Sequence, residues 1–494
     1  MNQLFETRVR GRRPCGGMTA GGQSMRTLPD HWRVFTVVTA SVAMASMDGG
    51  MIPLVFSDIR REFADTPQTT LAWVFTAYSI GLASFVVAAG RLADRTGRRR
   101  MFLIGTALFV VGSALCAVAP SPGFLIAARL VQGSGHAIFT PASLGLILVA
   151  WPENRRTQAI AAWITIGGIA SGIGPTLGAV IVQTWNWRVA FGVNVVIGVP
   201  TLWRAFRLKI DTERHADALL PDPVGIVLLS SALACVALVI VQGRAWGWGD
   251  TKIVAAGVLA VVLSTLFALR SKGHAAPVLD MVLLRSRTYR LSLVVSMLVT
   301  GPMNANLVMQ PRFLEDAWHY SKLHAGIAVS PLPVLAGLAA PFASRYATRY
   351  GHRSAIILGT AMTSVGLLGY GLLPGNVPHY WVNFFPGVAL AGVGTWGFAI
   401  SMINAAAVTD MSAENFGVGI AILQTFRQIG GMLGTAVFFG LYGNSAPADA
   451  LVTLKHIWLI FSIPPIVALA LAFGYSKRLG LRADPRGEPA TATA

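Results

Sequence analysis

Three charged side chains occupy places where a charge is expensive. Asp48, Arg129 and Arg427 each lie well inside a long apolar run, and an ionisable group within a membrane-spanning segment is costly enough that it is paired, faces water or carries function. A carboxylate and a guanidinium buried side by side suit one task in particular, the uptake and release of a proton. Burial favours the neutral acid, an adjacent Arg favours the carboxylate, and a movement that changes their separation drives one state into the other. Asp48 is therefore read as a proton-coupling carboxylate and Arg129 as the group that tunes it. A static ion pair that merely satisfies two buried charges is the plainer alternative.

The pairing depends on the elements that carry the two residues. A spanning helix needs roughly 20 apolar residues. Blocks of that length occur near residues 34–56, 70–90, 101–119, 122–149, 158–183, 188–206, 223–242, 252–269, 291–311, 323–345, 353–374, 379–409, 416–442 and 455–474, fourteen in all. If the first helix runs outward and ends near Phe56, Asp48 lies about 12 Å below the outer boundary; a fourth helix running inward from Pro122 puts Arg129 about 10 Å below it. At those depths they are expected to meet. Asp48 is the one carboxylate well inside any expected span.

Composition excludes the soluble classes. Of 494 residues, 54% are hydrophobic and 12% charged, about half of the ~25% charge usual in soluble domains. The net charge of +18 is spread between apolar runs and is not clustered on a polar domain, so it is no nucleic-acid footprint. With the N-terminus cytoplasmic, 29 of the 39 Lys and Arg fall in cytoplasmic segments and 8 in external ones, the bias that orients membrane proteins. Lys477, Arg478, Arg482 and Arg486 then place the C-terminus on the same side, which requires an even number of spans. The Arg-rich first 31 residues lack the form of a removable signal, and Cys15, Cys116 and Cys235 suggest no disulfide framework.

The chain also repeats itself. Residues 90–99 (Gly-Arg-Leu-Ala-Asp-Arg-Thr-Gly-Arg-Arg) align without gaps with residues 344–353 (Ser-Arg-Tyr-Ala-Thr-Arg-Tyr-Gly-His-Arg), each between the second and third helices of a six-helix set, and duplicated halves are typical of secondary transporters. The expected organisation is a cytoplasmic tail over 1–31, a six-helix bundle over 32–206, two additional helices with cytoplasmic flanks over 207–289, a second six-helix bundle over 290–474 and a tail over 475–494.

On these residues the sequence resembles the major facilitator superfamily, and within it the fourteen-helix drug:proton antiporters. The loop Gly90-Arg-Leu-Ala-Asp94-Arg95-Thr-Gly97-Arg98-Arg-Arg carries the resemblance best. Gly90 and Gly97 permit a tight turn, Asp94 can hold neighbouring Arg residues or a helix N-terminus, and such a charge cluster can latch one conformation and release another. Thr348 replaces the Asp in the second copy. The fourth-helix segment Arg129-Leu-Val-Gln132-Gly133 and the first-helix segment around Asp48 also match the family, with departures at Gly50, Pro53 and Ser57. In the fifth helix, Gly174-Pro175-Thr-Leu-Gly178 looks like the exporters' antiporter signature, which implies a seal against proton leak. Glycines 168 and 172, and 174 and 178, form small-xxx-small faces for close packing. Arg427-Gln-Ile-Gly-Gly in the thirteenth helix resembles the same exporters.

The resemblance implies an all-α membrane protein of the major facilitator fold: two six-helix bundles plus two inserted helices, monomeric, in the cytoplasmic (inner) membrane. Its partners would be small molecules, protons and lipid, without nucleic acid, cofactor or metal. Proton-driven export of amphipathic or hydrophobic compounds is the expected function; a dedicated exporter of one endogenous metabolite, or an importer, is the alternative. His136, Trp163, Trp396, Asn306, Gln310, Gln424 and Arg427 could line a cavity, although interhelical bonding is the simpler role for each. His136 has no partner visible in the sequence. An enzyme is not expected, since neither a G-x-x-x-x-G-K-[ST] nor an H-E-x-x-H pattern occurs.

Overall fold

The computed structural model describes residues 30–152, 155–208, 222–274, 283–409, 411, 416–442 and 450–476, and among these it is helical without a strand. Both expected tails, with Cys15 and the C-terminal Lys and Arg residues, lie almost wholly outside the described set. The helices are α1 (Asp30–Glu62), α2 (Trp73–Thr96, led in by the turn Gln68–Leu71), α3 (Arg98–Ala117), α4 (Pro122–Ala150), α5 (Arg156–Thr184), α6 (Trp187–Arg207), α7 (Pro223–Trp246) and α8 (Thr251–Gly273). After these come α9 (Arg287–Asp316), α10 (322–350), α11 (352–372), α12 (380–408, partly π-helical), α13 (Phe416–Tyr442) and α14 (Ala450–Ala472).

Local chemistry sets the starts. The backbone N–H groups of Phe124, Arg188, Val224, Lys252, Tyr289 and His324 donate to the side chains of Ser121, Asn186, Asp222, Asp250, Ser286 and Ser321 respectively, each satisfying a donor that has no partner within the helix. Pro122 and Pro223 follow two of these caps, where a missing N–H costs nothing.

Twelve helical stretches among the described residues are long and apolar enough to cross a membrane. One of them, Lys322–Leu372, is 51 residues long and contains the kink at Gly351; α13, 27 residues long, is not among the twelve. Polar terminal turns carry several helices past the ends of their apolar blocks. Thus α1 continues to Glu62 beyond Phe56, and α9 to Asp316 beyond residue 311.

The repeat is visible in the backbone. Gly97 and Gly351, aligned in the two loops, both take the left-handed conformation, with φ of 101° and 83°, which a Cβ would oppose. The correspondence extends along the helices that follow. A Cβ at Gly105 or Gly112 would strike α4 at Phe139 or Gln132, and one at Gly359 or Gly366 would strike α12 at Ala399 or Ala391. Gly174 and Gly178 of α5 abut α1, just as Gly430 and Gly434 of α13 abut α9.

Two seams join the repeats. On one side α2 packs on α13, and α7 lies along that seam while α8 packs chiefly on α7. On the other, α5 packs on α10. The seams are tied at the end where α1 and α9 finish: Lys322 donates to Asp58, Phe439 packs against Phe56 and Phe75, and the Thr176 and Ser330 hydroxyls are 2.8 Å apart.

A candidate proton-coupling site

Asp48, 0% exposed, sits on α1 at the meeting of α2, α3, α4 and α6. Three donors converge on its carboxylate: Arg129 Nη1 on Oδ2 at 2.8 Å, Asn194 Nδ2 on Oδ1 at 2.7 Å and Gln132 Nε2 on Oδ1 at 3.1 Å. The arrangement suits an ionised, acceptor-only carboxylate. Arg129 is itself held, since its Nε donates to the Val74 carbonyl at 3.1 Å and its Nη1 also to Gln132 Oε1 at 2.6 Å. Gln132 donates further to Ser113 Oγ at 2.8 Å. A buried ion pair of this kind is maintained by its extra hydrogen bonds, and removing one partner strands the other charge.

The polar chain continues beyond the ion pair. The Arg129 guanidinium lies 4.2 Å from the centre of the Tyr78 ring, a cation–π contact, and the Tyr78 hydroxyl is 2.6 Å from His136 Nδ1. His136 therefore has a partner, Tyr78, which connects it to the Asp48 site. The fourth-helix glycines make this possible: a Cβ at Gly133 would lie 2.2 Å from the Tyr78 carbonyl oxygen, so only glycine lets α4 approach α2 this closely.

The Gly-Pro segment of α5 is a packing surface with two sides. A Cβ at Gly174 would meet Met47 O at 2.8 Å, and one at Gly178 would meet Met51 Cα at 3.0 Å, both on α1. Gly50, a departure from the family pattern, fits here because a Cβ would come within 2.9 Å of Pro175 Cδ. On the far side, the Pro175 carbonyl and Ala179 abut Gly326 of α10. The expected 168/172 face is only half present. Gly172 meets Val334, whereas Gly168 has nothing within 4 Å.

The loop between α2 and α3 turns at Gly97 alone. Gly90 lies inside α2 with nothing within 4 Å, so it contributes no turn; the helix runs on through Asp94 and Arg95 to Thr96. The side chain of Asp94 lies outside the described set. Arg98 Nη1 donates to the Gly145 carbonyl at 3.0 Å and Arg99 to that of Phe206, which anchors the loop to α4 and α6.

In the second repeat the residues proposed for a cavity divide. Asn306 and Gln310 are fully buried, accepting from Trp458 Nε1 and donating to the Tyr370 hydroxyl, both at 2.8 Å, within a cluster of Phe313, Phe384, Tyr370 and Trp458 rings. They brace a packed core and line no open surface. Trp396, Gln424 and Arg427 are partly accessible, as is Trp163 on α5 of the first repeat. Arg427 Nη1 is 3.4 Å from Asn404 Oδ1, and its Nη2 donates to Gln424 Oε1.

Sequence reasoning missed several residues. Asn194 was discoverable as a lone amide among Val193, Val195 and Val196, because an isolated polar group there demands a partner. The ninth apolar block ends at residue 311, yet α9 runs on through Arg312, which is 2% exposed and 3.4 Å from Asp316 Oδ2. Tyr442 donates to the same Asp316 oxygen at 3.1 Å. Arg188 and Glu62 form a further pair at 2.6 Å.

Helices that repeat in two sets, carry an interior ion pair and are long enough to cross a bilayer define a multi-pass membrane transporter. The chain belongs to the Major Facilitator Superfamily, whose family model matches residues 38–435, and it is a carrier of small molecules, not an enzyme. It is 30% identical over 395 residues to the multidrug resistance protein Stp of Mycobacterium tuberculosis, covering 80% of this chain and 72% of that one. It is also 30% identical over 419 residues to the methylenomycin A resistance protein of Streptomyces coelicolor, covering 84% and 86% respectively. The fold is that of a bacterial homologue of the human drug peptide transporters PepT1 and PepT2, with a TM-score of 0.60, 16% identity, and 90% and 98% of the two chains covered.

Proposed function

We propose that this protein is a proton-coupled exporter of amphipathic or hydrophobic small molecules in the cytoplasmic membrane. The observation that carries the reading is the three-donor cage around the buried Asp48 carboxylate. Proton uptake at Asp48 requires Arg129 to withdraw, because a neutral acid cannot satisfy a guanidinium and two amide donors as the carboxylate does. Asp48 lies on α1, whose far end carries the Asp58 tie to Lys322, so a shift of α1 that loosens the cage also acts on the closure between the repeats. The helix end and turn carrying Gly90, Asp94, Arg95, Gly97 and Arg98 are the conformational latch at the opposite end, and Gly174, Pro175 and Gly178 form the seal that couples α1 to α10.

Fourteen crossings follow when the kinked Lys322–Leu372 stretch is taken as two and α13 is added. With both termini cytoplasmic, the tied end faces outward. The bundles are assigned to 32–206 and 290–474, with α7 and α8 as the inserted pair, and the working unit is a monomer. Each proton entering gains about 2.3 kcal/mol per 100 mV of membrane potential. The resistance functions named for Stp and the methylenomycin A protein support drugs as substrates.

The test is a panel of unrelated toxic compounds applied to cells with and without the protein, repeated with a protonophore. Raised tolerance to several compounds, abolished by the protonophore, is expected. Tolerance to a single compound would replace broad efflux with a dedicated exporter.

A further inference from the structure

The interior cations are not treated alike. Buried Arg129 has Asp48 and buried Arg312 has Asp316, and even the partly exposed Arg188 and Arg270 have Glu62 and Asp222. Arg427, near the middle of α13, has only the amide oxygens of Asn404 and Gln424, and no carboxylate lies within ion-pair distance of it among the described residues. Gln424, Arg427 and Gln428 stand at i, i+3 and i+4 on one helix face and are partly accessible, as are Phe426 and Ile429 beside them, while Leu423, Thr425, Gly430 and Gly431 are buried. Asn304 of α9 lies beside this face, its amide meeting the position where a Cβ at Gly431 would be.

We propose that Arg427 is the anion-accepting point of the substrate site, and that preferred substrates carry a carboxylate or comparable acidic group on an apolar body. A half-buried guanidinium held only by neutral acceptors has no counter-charge from the protein, so a counter-charge that arrives and departs with the transport cycle is what the site lacks. The planar guanidinium fork matches a carboxylate with two parallel hydrogen bonds, and the amide N–H groups of Gln424, Gln428, Asn404 and Asn304 are further donors close by. Arg129 does not compete for the anion, because Asp48 already neutralises it. Export of an anion and entry of a proton move charge in the same sense, so efflux of the acid responds more steeply to membrane potential than efflux of a neutral analogue.

This inference rests on the exporter reading, and the experiment separates the two. An aromatic fluorescent carboxylate and its methyl ester are titrated onto purified protein in detergent at fixed pH, where binding requires no proton gradient. Both probes are then followed into everted vesicles. Wild-type protein is expected to bind the carboxylate more tightly, and Arg427→Gln to weaken that binding about tenfold, the scale of one lost charge-assisted contact, with the ester changed less than about twofold. Asn404→Asp, which supplies a carboxylate beside Arg427 and keeps the cation, is expected to weaken carboxylate binding alike, so a poorly inserted Arg427→Gln does not stall the test. Equal loss of both probes in the two variants, or no loss of carboxylate binding in either, overturns the proposal and leaves Arg427 a helix brace. Binding that behaves as expected without proton-linked uptake in vesicles would sink the exporter reading alone.

Discussion

The two repeats share a frame and differ in charge. The register is set by matched glycine contacts: Met47 O faces Gly174 as Met297 O faces Gly430, and Gly112 faces Gln132 as Gly366 faces Ala391. In that register Asp48 corresponds to Leu298, Arg129 to Val388 and Gln132 to Ala391. The backbone geometry needed to bring helices together is thus duplicated, while the polar cage exists once. The second repeat instead carries its mid-helix charge on α13, where Arg427 corresponds to Ser171 of α5. Small residues build the scaffold in both halves, and one half adds the polar cage of Asp48, Arg129, Gln132 and Asn194.

The comparison is broken most severely by removing the acid. Asp48→Asn retains the size and most of the hydrogen-bonding capacity, and is expected to abolish proton-driven efflux while the protein still inserts; Leu298→Asn at the matching position leaves substantial efflux. Uptake of a fluorescent substrate into everted vesicles reads both. Next in size is the ion pair itself. Arg129→Val alone strands Asp48 and is expected to cost about 3–5 kcal/mol. The combination Asp48→Leu, Arg129→Val and Gln132→Ala, which copies the second repeat, should recover most of that stability without recovering transport. Thermal unfolding in detergent beside the vesicle assay separates the two effects.

The shared frame predicts similar damage in both repeats. A Cβ at Gly133 would lie 2.2 Å from Tyr78 O, and one at its counterpart Gly392 would lie 2.6 Å from Leu332 O, so Gly133→Ala and Gly392→Ala should each destabilise by about 1–3 kcal/mol through overpacking. A large loss in one and none in the other would mean that the repeats do not share their packing. Smaller again is Tyr78→Phe, which removes the 2.6 Å contact with His136, worth about 0.5–1.5 kcal/mol. It should displace the pH profile of efflux with little change in the amount of folded protein. An unchanged profile would make the Tyr78 link structural only.

Much of this was legible in the chain and some was not. Asp48 and Arg129 could be paired from depth alone, because helical rise converts residue counts into ångströms and charges in apolar runs are few. The helix ends were less legible. Polar residues such as Asp58 and Arg312 look like loop until neighbouring helices cover them, and Phe56 of α1 and Tyr442 of α13 do cover Arg312. His136 lacked a partner in the sequence because Tyr78 is 58 residues away, on a helix whose facing surface only the packing reveals. Asn306 and Gln310 look like cavity residues from polarity, yet the rings of Tyr370 and Trp458 that satisfy them also bury them. The loop motif was readable as a turn, but only the backbone shows that Gly97, and not Gly90, makes it.

The central claim is that proton movement passes through Asp48, and substrate-linked proton flux tests it most directly. Everted vesicles acidified by respiration are given a transported substrate, and the internal pH is followed for wild-type protein and Asp48→Asn at matched expression. Substrate-dependent alkalinisation in the wild type and none in the variant is the predicted result. Equal alkalinisation in both would show that the proton takes another route and would leave the Asp48–Arg129 pair a structural contact.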